Sequence, residues 1–293
     1  MKILIFIIIV IFLSLRINYW NMIVENSYIP DYTKWILSDK YIAKNFAKIN
    51  GFQVSEIYQY VKYPHQFQDI KNNYVIKPVD LCDSGGVYAM KNGKNLLDNK
   101  NYNLKEIKKN LVKLRSEIQQ EYYMHSDMYN NRIPDTGYIM EELLLDNNKI
   151  PSDYKCYTFN GKIKFIVCTY DRYFDGNIQN FKSVWMTRDW KPIPLKMVKK
   201  GYNYKKLLKP KGYEEMVKKV ENVSRILDRH CRIDIYIIDG KVYFGEFTFF
   251  TGALLHSKIC NNILGLFWLL NPDLKKNKIN FKEIVPIEYN IKL

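Results

Sequence analysis

The stretch Arg232 to Phe249, RIDIYIIDGKVYFGEFTF, places the tightest constraint on how this chain can fold. Polar Arg232, Asp234 and Tyr236 alternate with Ile233, Ile235 and Ile237, which is the period of a strand with one buried face. Asp239-Gly240 then turns the chain into a second strand, so Asp234 and Glu246 lie on the two arms of one hairpin. Register decides whether they meet. A two-residue loop pairs Ile238 with Lys241 and sends the acids to opposite faces, whereas a three-residue loop, Ile238-Asp239-Gly240, pairs Ile237 with Lys241 and puts both, with Thr248, on one face. The three-residue loop is the expectation. Two carboxylates about 5 Å apart at an effective dielectric of about 20 repel by about 3 kcal/mol, so a dry pair needs a cation, and oxygen ligands suit magnesium. The hairpin alone leaves a plainer arrangement open, with one acid in solvent and the other at a strand end.

The rest of the composition narrows the class. With 293 residues, 47% hydrophobic and 15% aromatic, the chain can bury a large core as one domain or two. Its net charge of +15 favours an anionic partner, but the lysines are spread through an Ile-, Asn- and Tyr-rich sequence without a run of like charge or a nucleic-acid motif, so no nucleic acid is expected as a partner. Cys82, Cys156, Cys168, Cys231 and Cys260 form no Cys-x-x-Cys pair, which argues against a disulfide framework or a zinc site. No Gly-x-Ser-x-Gly or His-Glu-x-x-His string is present, and His230 reads as the end of a helix.

The N-terminus stands apart. Ile3 to Leu13 is an unbroken apolar run between Lys2 and Arg16. Alone it is short for a bilayer, but extended to Trp20 it nears the needed length, with Arg16 snorkelling and Tyr19 and Trp20 at the interface. Residues 1–21 are therefore expected to be a membrane anchor or uncleaved signal-anchor, single-pass, with a cytosolic catalytic domain; a secreted or lumenal form stays open.

Beyond the anchor the elements alternate. Ser38 to Ile49 reads as a helix capped by Ser38, Tyr74 to Pro78 and Val87 to Met90 as strands around Asp83-Ser84-Gly85-Gly86, and Leu104 to Tyr122 as a helix. Tyr138 to Leu145 reads as a strand, and Asp153 to Phe159 with Lys162 to Tyr170 as a hairpin about Asn160-Gly161. Glu214 to His230 is a helix before the acidic hairpin. This order gives an α+β chain with largely antiparallel pairing. Lys77, ending a strand before the Ser-Gly-Gly loop, has the make-up of a polyphosphate site, in which an ammonium and loop N–H groups meet the oxygens. Glu141-Glu142, inside an apolar strand, read either as a hinge holding an adenine amine or ribose hydroxyls or as a strand edge facing water.

Taken in order, these strings resemble the ATP-grasp superfamily, and most closely its TupA-like branch in polysaccharide biosynthesis. The strings are SDKY at 38–41, VIKP at 75–78, MEELL at 140–144, DYK at 153–155, FNGK at 159–162, RIDIY at 232–236 and FGE at 244–246, with Thr248. The resemblance implies an ATP-grasp fold of two α+β subdomains with antiparallel sheets enclosing an ATP site, about 60–135 and 136–260, within a catalytic region 22–293. It places Lys77 and the backbone of Ser84, Gly85 and Gly86 on ATP phosphates, Glu141, Glu142 and Leu143 at the adenine, and Asp153 at the ribose. It implies Lys155 at the phosphates or an acyl intermediate, and Asp234, Glu246 and Thr248 at Mg2+. Thr248 stands where many ATP-grasp enzymes carry asparagine, a departure the TupA-like branch shares. Arg172 is a candidate for an anionic acceptor or acylphosphate, and equally a surface ion pair. The implied activity is ATP- and Mg-dependent ligation of a carboxylate, small-molecule or glycan, to an amine donor through an acylphosphate. Alternatives are a kinase or other glycan-modifying enzyme, and a non-catalytic binding module at the membrane.

Overall fold

The computed structural model describes residues 18–27, 31–69, 72–81, 85–124, 137–175, 178–199, 204–251, 256–276 and 279–285, without the side chains of 119–124 and 172–180. The chain divides into two compact units. One comprises residues 1–31, 152–171 and 181–279, and the other residues 32–151, 172–180 and 280–293. The apolar run Ile3–Leu13 lies outside the described residues, and among those described no helix is long and apolar enough to cross a membrane.

The unit built mainly from residues 32–151 holds helices α2 (Tyr32–Ser38) and α3 (Lys40–Ile49), strands β1 (Ile57–Val61), β2 (Asn73–Pro78), β3 (Tyr88–Lys91), β4 (Lys94–Asn95) and β5 (Tyr138–Glu141), and the long helix α4 (Leu104–Met124). Its sheet runs β1-β5-β2-β3-β4 and every pair is antiparallel. Strand alternation sorts the side chains. Tyr74, Ile76, Met90, Tyr138 and Met140 pack with Ile107 and Leu111 of α4, while Lys77 and Glu141 occupy the other face. The expected cap Ser38 instead closes the preceding helix, its hydroxyl bonding Lys34 O, and Asp39 caps α3 by accepting from the N–H groups of Tyr41 and Ile42. Strand β5 belongs to this sheet, so the second unit resumes at Ser152, later than residue 136.

The other unit holds α1 (Tyr19–Ser27), β6 (Asp153–Phe159), β7 (Lys162–Asp175) and β8 (Ile178–Thr187) apart from their residues 172–180, α5 (Tyr213–Leu227), β9 (Cys231–Ile238), β10 (Lys241–Thr248) and α6 (Lys258–Leu270). Its sheet runs β10-β9-β6-β7-β8. Asn160-Gly161 forms the expected tight turn, both residues at positive φ. One sheet face carries Cys156, Ile166, Ile233, Ile235 and Phe244, and α5 covers it with Met216, Val217, Val220, Val223 and Leu227. On the other face Tyr157, Phe159, Phe165 and Val167 pack with Trp185, α1 and α6.

Two expectations change here. Tyr19 is wholly buried, its hydroxyl 2.5 Å from His230 Nε2 and 3.0 Å from Thr251 Oγ1, so it is a core residue of this unit and not an interfacial aromatic. His230 does not end α5, which stops at Leu227 with Asp228 in the left-handed conformation. It stacks on Phe159 at 4.2 Å, and its Nδ1–H reaches Thr158 O at 2.8 Å.

The acidic hairpin closes by the two-residue route. Asp239 and Gly240 both have positive φ, at 51° and 77°, and Lys241 pairs with Ile238, not Ile237. Gly212, immediately before α5, approaches this turn so closely that a Cβ on it would lie 2.4 Å from Gly240 O. The expected three-residue loop is therefore absent, yet the acids still meet, because a bulge shifts the register between Phe244 and Glu246. Asp234 pairs with Glu246 and Arg232 with Thr248. Gly245 makes the bulge possible, since a Cβ there would sit 2.9 Å from the Asp234 carbonyl oxygen.

Candidate active site

Two polar clusters stand out, one in each unit. In the unit that holds β6, β9 and β10, the pairing Lys155↔Asp234 joins β6 to β9 and Asp234↔Glu246 joins β9 to β10, so three charged side chains form one row across three strands. Asp153, two residues before Lys155, and Arg232, two before Asp234, flank that row on the same face. Lys155 Nζ lies 2.5 Å from Asp153 Oδ2 and 2.8 Å from Asp234 Oδ2. The Arg232 guanidinium reaches both Asp234 oxygens at 2.7 Å and Glu246 Oε1 at 3.2 Å. Thr248 Oγ1 donates to Glu246 Oε1 at 3.2 Å.

Burial and charge act against each other here. Burial opposes ionisation of Asp234, but Arg232 and Lys155 outweigh it and hold the carboxyl below its usual range. Burial likewise disfavours charged Lys155, and Asp153 with Asp234 reverses this to raise its pKa. The three carboxylates of Asp153, Asp234 and Glu246 face two cations, Lys155 and Arg232, so 3 − 2 leaves one net negative charge. Glu246 is the exposed member, with 38% of its side chain accessible against 4% for Asp234. Among the described residues no three His, Cys, Asp or Glu side chains converge on a single metal position. The donors on offer are two carboxylates and a hydroxyl, all hard oxygens. That set fits a magnesium-like cation whose other positions are filled by water or phosphate oxygens.

The other cluster lies on the face of the first sheet opposite α4. Lys77 Nζ is 2.6 Å from Glu141 Oε1, and Lys44 Nζ of α3 is 3.2 Å from Glu141 Oε2. Lys44 also donates to Ser55 Oγ at 2.6 Å. Burial works against ionised Glu141, and Lys44 and Lys77 together hold it below its normal range. Burial pulls Lys44 down to about 8 despite Glu141. At the hinge, Glu142 N–H donates to Glu56 O at 2.8 Å and its carboxylate accepts from Glu56 N–H at 3.3 Å, while Leu143 is half-buried.

Most residues singled out in the sequence thus fall into two groups: Asp153, Lys155, Asp234, Glu246 and Thr248 in one, Lys77 and Glu141 in the other. Gly85 and Gly86 form a turn packed on α4, Gly86 at φ 70°, whereas Ser84 lies outside the described residues. Arg172 lies within β7, its side chain outside the described set. Arg232 and Lys44 were not among the sequence candidates. The alternation that placed Asp234 on the polar face placed Arg232 there as well. Lys44 interrupts the apolar positions Ile42, Ala43, Phe46 and Ala47, a signal that can be read only when a buried partner is known.

A family model described as TupA-like ATP-grasp matches residues 20–265. The chain belongs to this family. The fold of this TupA-like ATP-grasp protein is similar to a D-alanine-D-alanine ligase from Helicobacter pylori, at 13% identity over 83% of this chain and 60% of that one, TM-score 0.42. It is also similar to an L-amino acid ligase from Bacillus licheniformis, at 16% identity over 81% and 49%, TM-score 0.48. A biotin carboxylase from Campylobacter jejuni matches at 11% identity over 83% and 48%, TM-score 0.46. The TupA-like chain therefore spans only about half to three fifths of these proteins. No curated protein matches the sequence.

Proposed function

We propose that this protein is an ATP- and magnesium-dependent carboxylate-amine ligase. The observation that carries the reading is the row Lys155, Asp234, Glu246 with Arg232 beside it: two carboxylates and a hydroxyl for a divalent cation, next to two fixed cations for phosphoryl oxygens. Asp234, Glu246 and Thr248 would hold the metal in their unit, and Lys77 is the candidate of its own unit for ATP phosphates. When bound, magnesium supplies charge neutralisation of the polyphosphate.

The protein's own groups then act by position and charge. A substrate carboxylate oxygen attacks the γ-phosphorus, the bond to the bridging oxygen breaks, and ADP departs. Lys155 and Arg232, held by Asp153 and Asp234, offset the negative charge that gathers on the transferring group. The amine attacks the acyl carbon of the acylphosphate, phosphate leaves with the bond pair, and the nitrogen releases a proton. No protein nucleophile is required, in keeping with the lack of a Ser-His or Cys-His arrangement among the described residues of the site. The carboxylate partner is assigned to a surface glycan or its precursor, and Ile3–Leu13 to a membrane anchor that leaves the ATP-binding units in the cytosol.

The test uses the full chain with Mg-ATP, a panel of uronic and amino acids, and hydroxylamine to trap acylphosphate as hydroxamate. ADP and hydroxamate should form in equal amounts and vanish in Asp234→Asn and Glu246→Gln. If the folded protein neither binds Mg-ATP nor loses binding in those variants, the ligase reading is wrong.

A further inference from the structure

Resting on the ATP reading, we propose that Lys44 is a positioning residue for nucleotide binding, which by engaging the second oxygen of Glu141 leaves the Lys77 ammonium with charge available to a polyphosphate. The geometry is that of two ammonium groups sharing one carboxylate. Lys77 holds Oε1 at 2.6 Å and Lys44 faces Oε2 at 3.2 Å, with Ser55 Oγ accepting from Lys44 at 2.6 Å. Two ammonium groups meet one carboxylate at contact distance in a spot where Lys44 and Glu141 are 3% and 4% exposed, and Glu142 adds only a lesser attraction on Lys44. A carboxylate shared by two ammonium groups answers each only in part, so an incoming anion can complete the balance. Glu142, the next acid along the chain, accepts from the Glu56 N–H and acts on Lys44 more weakly than Glu141 does.

The three groups are not equally reachable. The Lys77 side chain keeps 14% exposure against 4% for Lys44, and Lys77 is the penultimate residue of β2, ahead of the Gly85-Gly86 turn in the chain. An incoming anion therefore meets Lys77, and Lys44 acts through Glu141 without touching the ligand. Without Lys44, Glu141 and Lys77 would close into a neutral pair, and the pull of Lys77 on phosphate oxygens would fall. The groups facing Lys44 are Glu141 of β5, Lys77 of β2, Glu142 and the Ser55 hydroxyl. Burial lowers Lys44 to about 8, so raising the pH through that value removes its proton and hands Glu141 to Lys77 alone.

The experiment measures Mg-ATP and adenosine binding to the full chain by calorimetry and saturation-transfer NMR, for the wild type, Lys44→Met, Lys44→Arg, Lys77→Met and the double Met variant. Lys44→Met should weaken Mg-ATP by about tenfold or more while moving adenosine by less than about twofold, because only the phosphate interaction is altered. Lys44→Arg should stay close to wild type, and Lys44→Met should add little in the Lys77→Met background. Wild-type Mg-ATP affinity should fall between about pH 7 and pH 9 and that of Lys44→Arg should not, since guanidinium does not titrate there. Parallel loss of ATP and adenosine, an unchanged ATP affinity in Lys44→Met, or an undiminished effect without Lys77 would overturn this proposal alone. Absence of Mg-ATP binding in the wild type would overturn the ATP reading and this proposal with it.

Discussion

Replacing Gly245 with alanine tests whether a strand bulge, and not the turn, brings the acids together. The added Cβ would lie 2.9 Å from the Asp234 carbonyl oxygen, 3.3 Å from its carbonyl carbon and 3.3 Å from Tyr236 Cε2. The first two are backbone atoms held in the ladder to β6, so they cannot rotate away. The strand has two ways out. It can close the bulge, in which case Glu246 would face Ile233 and enter the apolar layer under α5, a burial that costs several kcal/mol for an unpaired carboxylate. The alternative, which we expect, is to keep the bulge and bear the overlap. That costs about 1–3 kcal/mol, offset by about 0.4–1 kcal/mol from the stiffer unfolded chain, so the net loss is about 1–2 kcal/mol. At about 2–4 °C per kcal/mol, thermal unfolding should fall by about 2–8 °C. Glu246 and Thr248 would shift away from Asp234, so the rise in melting temperature on adding Mg-ATP should shrink as affinity drops. An alanine variant with the wild-type melting temperature and the same Mg-ATP shift would refute the reasoning.

Two further outcomes follow from the same side chains. Folding holds the carboxyls of Asp234 and Glu141 below their usual pKa, so the stability they contribute is full above the unfolded value of about 4 and drains as pH falls through the folded value. Acid titrations followed by circular dichroism should show a steep loss of stability below about pH 4 that is flatter in Asp234→Asn, and an equally steep limb in that variant would contradict this. Tyr19→Phe removes a buried hydroxyl bonded to His230 and Thr251, leaving both partners short of a bond, and should cost about 1–3 kcal/mol in urea unfolding; a change within about 0.5 kcal/mol would place Tyr19 outside the core.

Much of this was visible in the residues, for reasons that differ from case to case. Alternation in RIDIYII gave the polar face of β9 because that strand is regular from end to end. The bulge was also written in the sequence: Val242 and Phe244 point inward at even positions, and Phe247 does so at an odd one, a change of phase that only the glycine between them explains. The turn was misjudged because one extra residue can enter either at the loop or within the arm, and both put the two acids on one face, although only the bulge sets Asp234 directly opposite Glu246. Asn160-Gly161 gave its hairpin outright, since its neighbours alternate on both sides. Lys44 was hidden because a lysine among apolar helix positions normally reads as a surface residue, and its partner Glu141 lies far along the chain on another element. Tyr19 was misplaced because it follows the apolar run Ile3–Leu13 in the sequence, whereas its neighbours in space are His230, His256 and Trp268.

The contact between Gly212 and the Asp239-Gly240 turn limits how this hairpin can be altered. Backbone meets backbone there, and a Cβ on Gly240 would meet the Lys211 side chain at 3.2 Å. A residue inserted into the turn, or any side chain at position 212, would have to displace the start of α5 and the apolar layer it carries. The blunt end of the hairpin therefore behaves as a fixed abutment. Changes of length, epitope insertions and permuted termini are excluded at that end, and whatever adjustment a bound cation requires of Asp234 and Glu246 has to be taken up at the bulge.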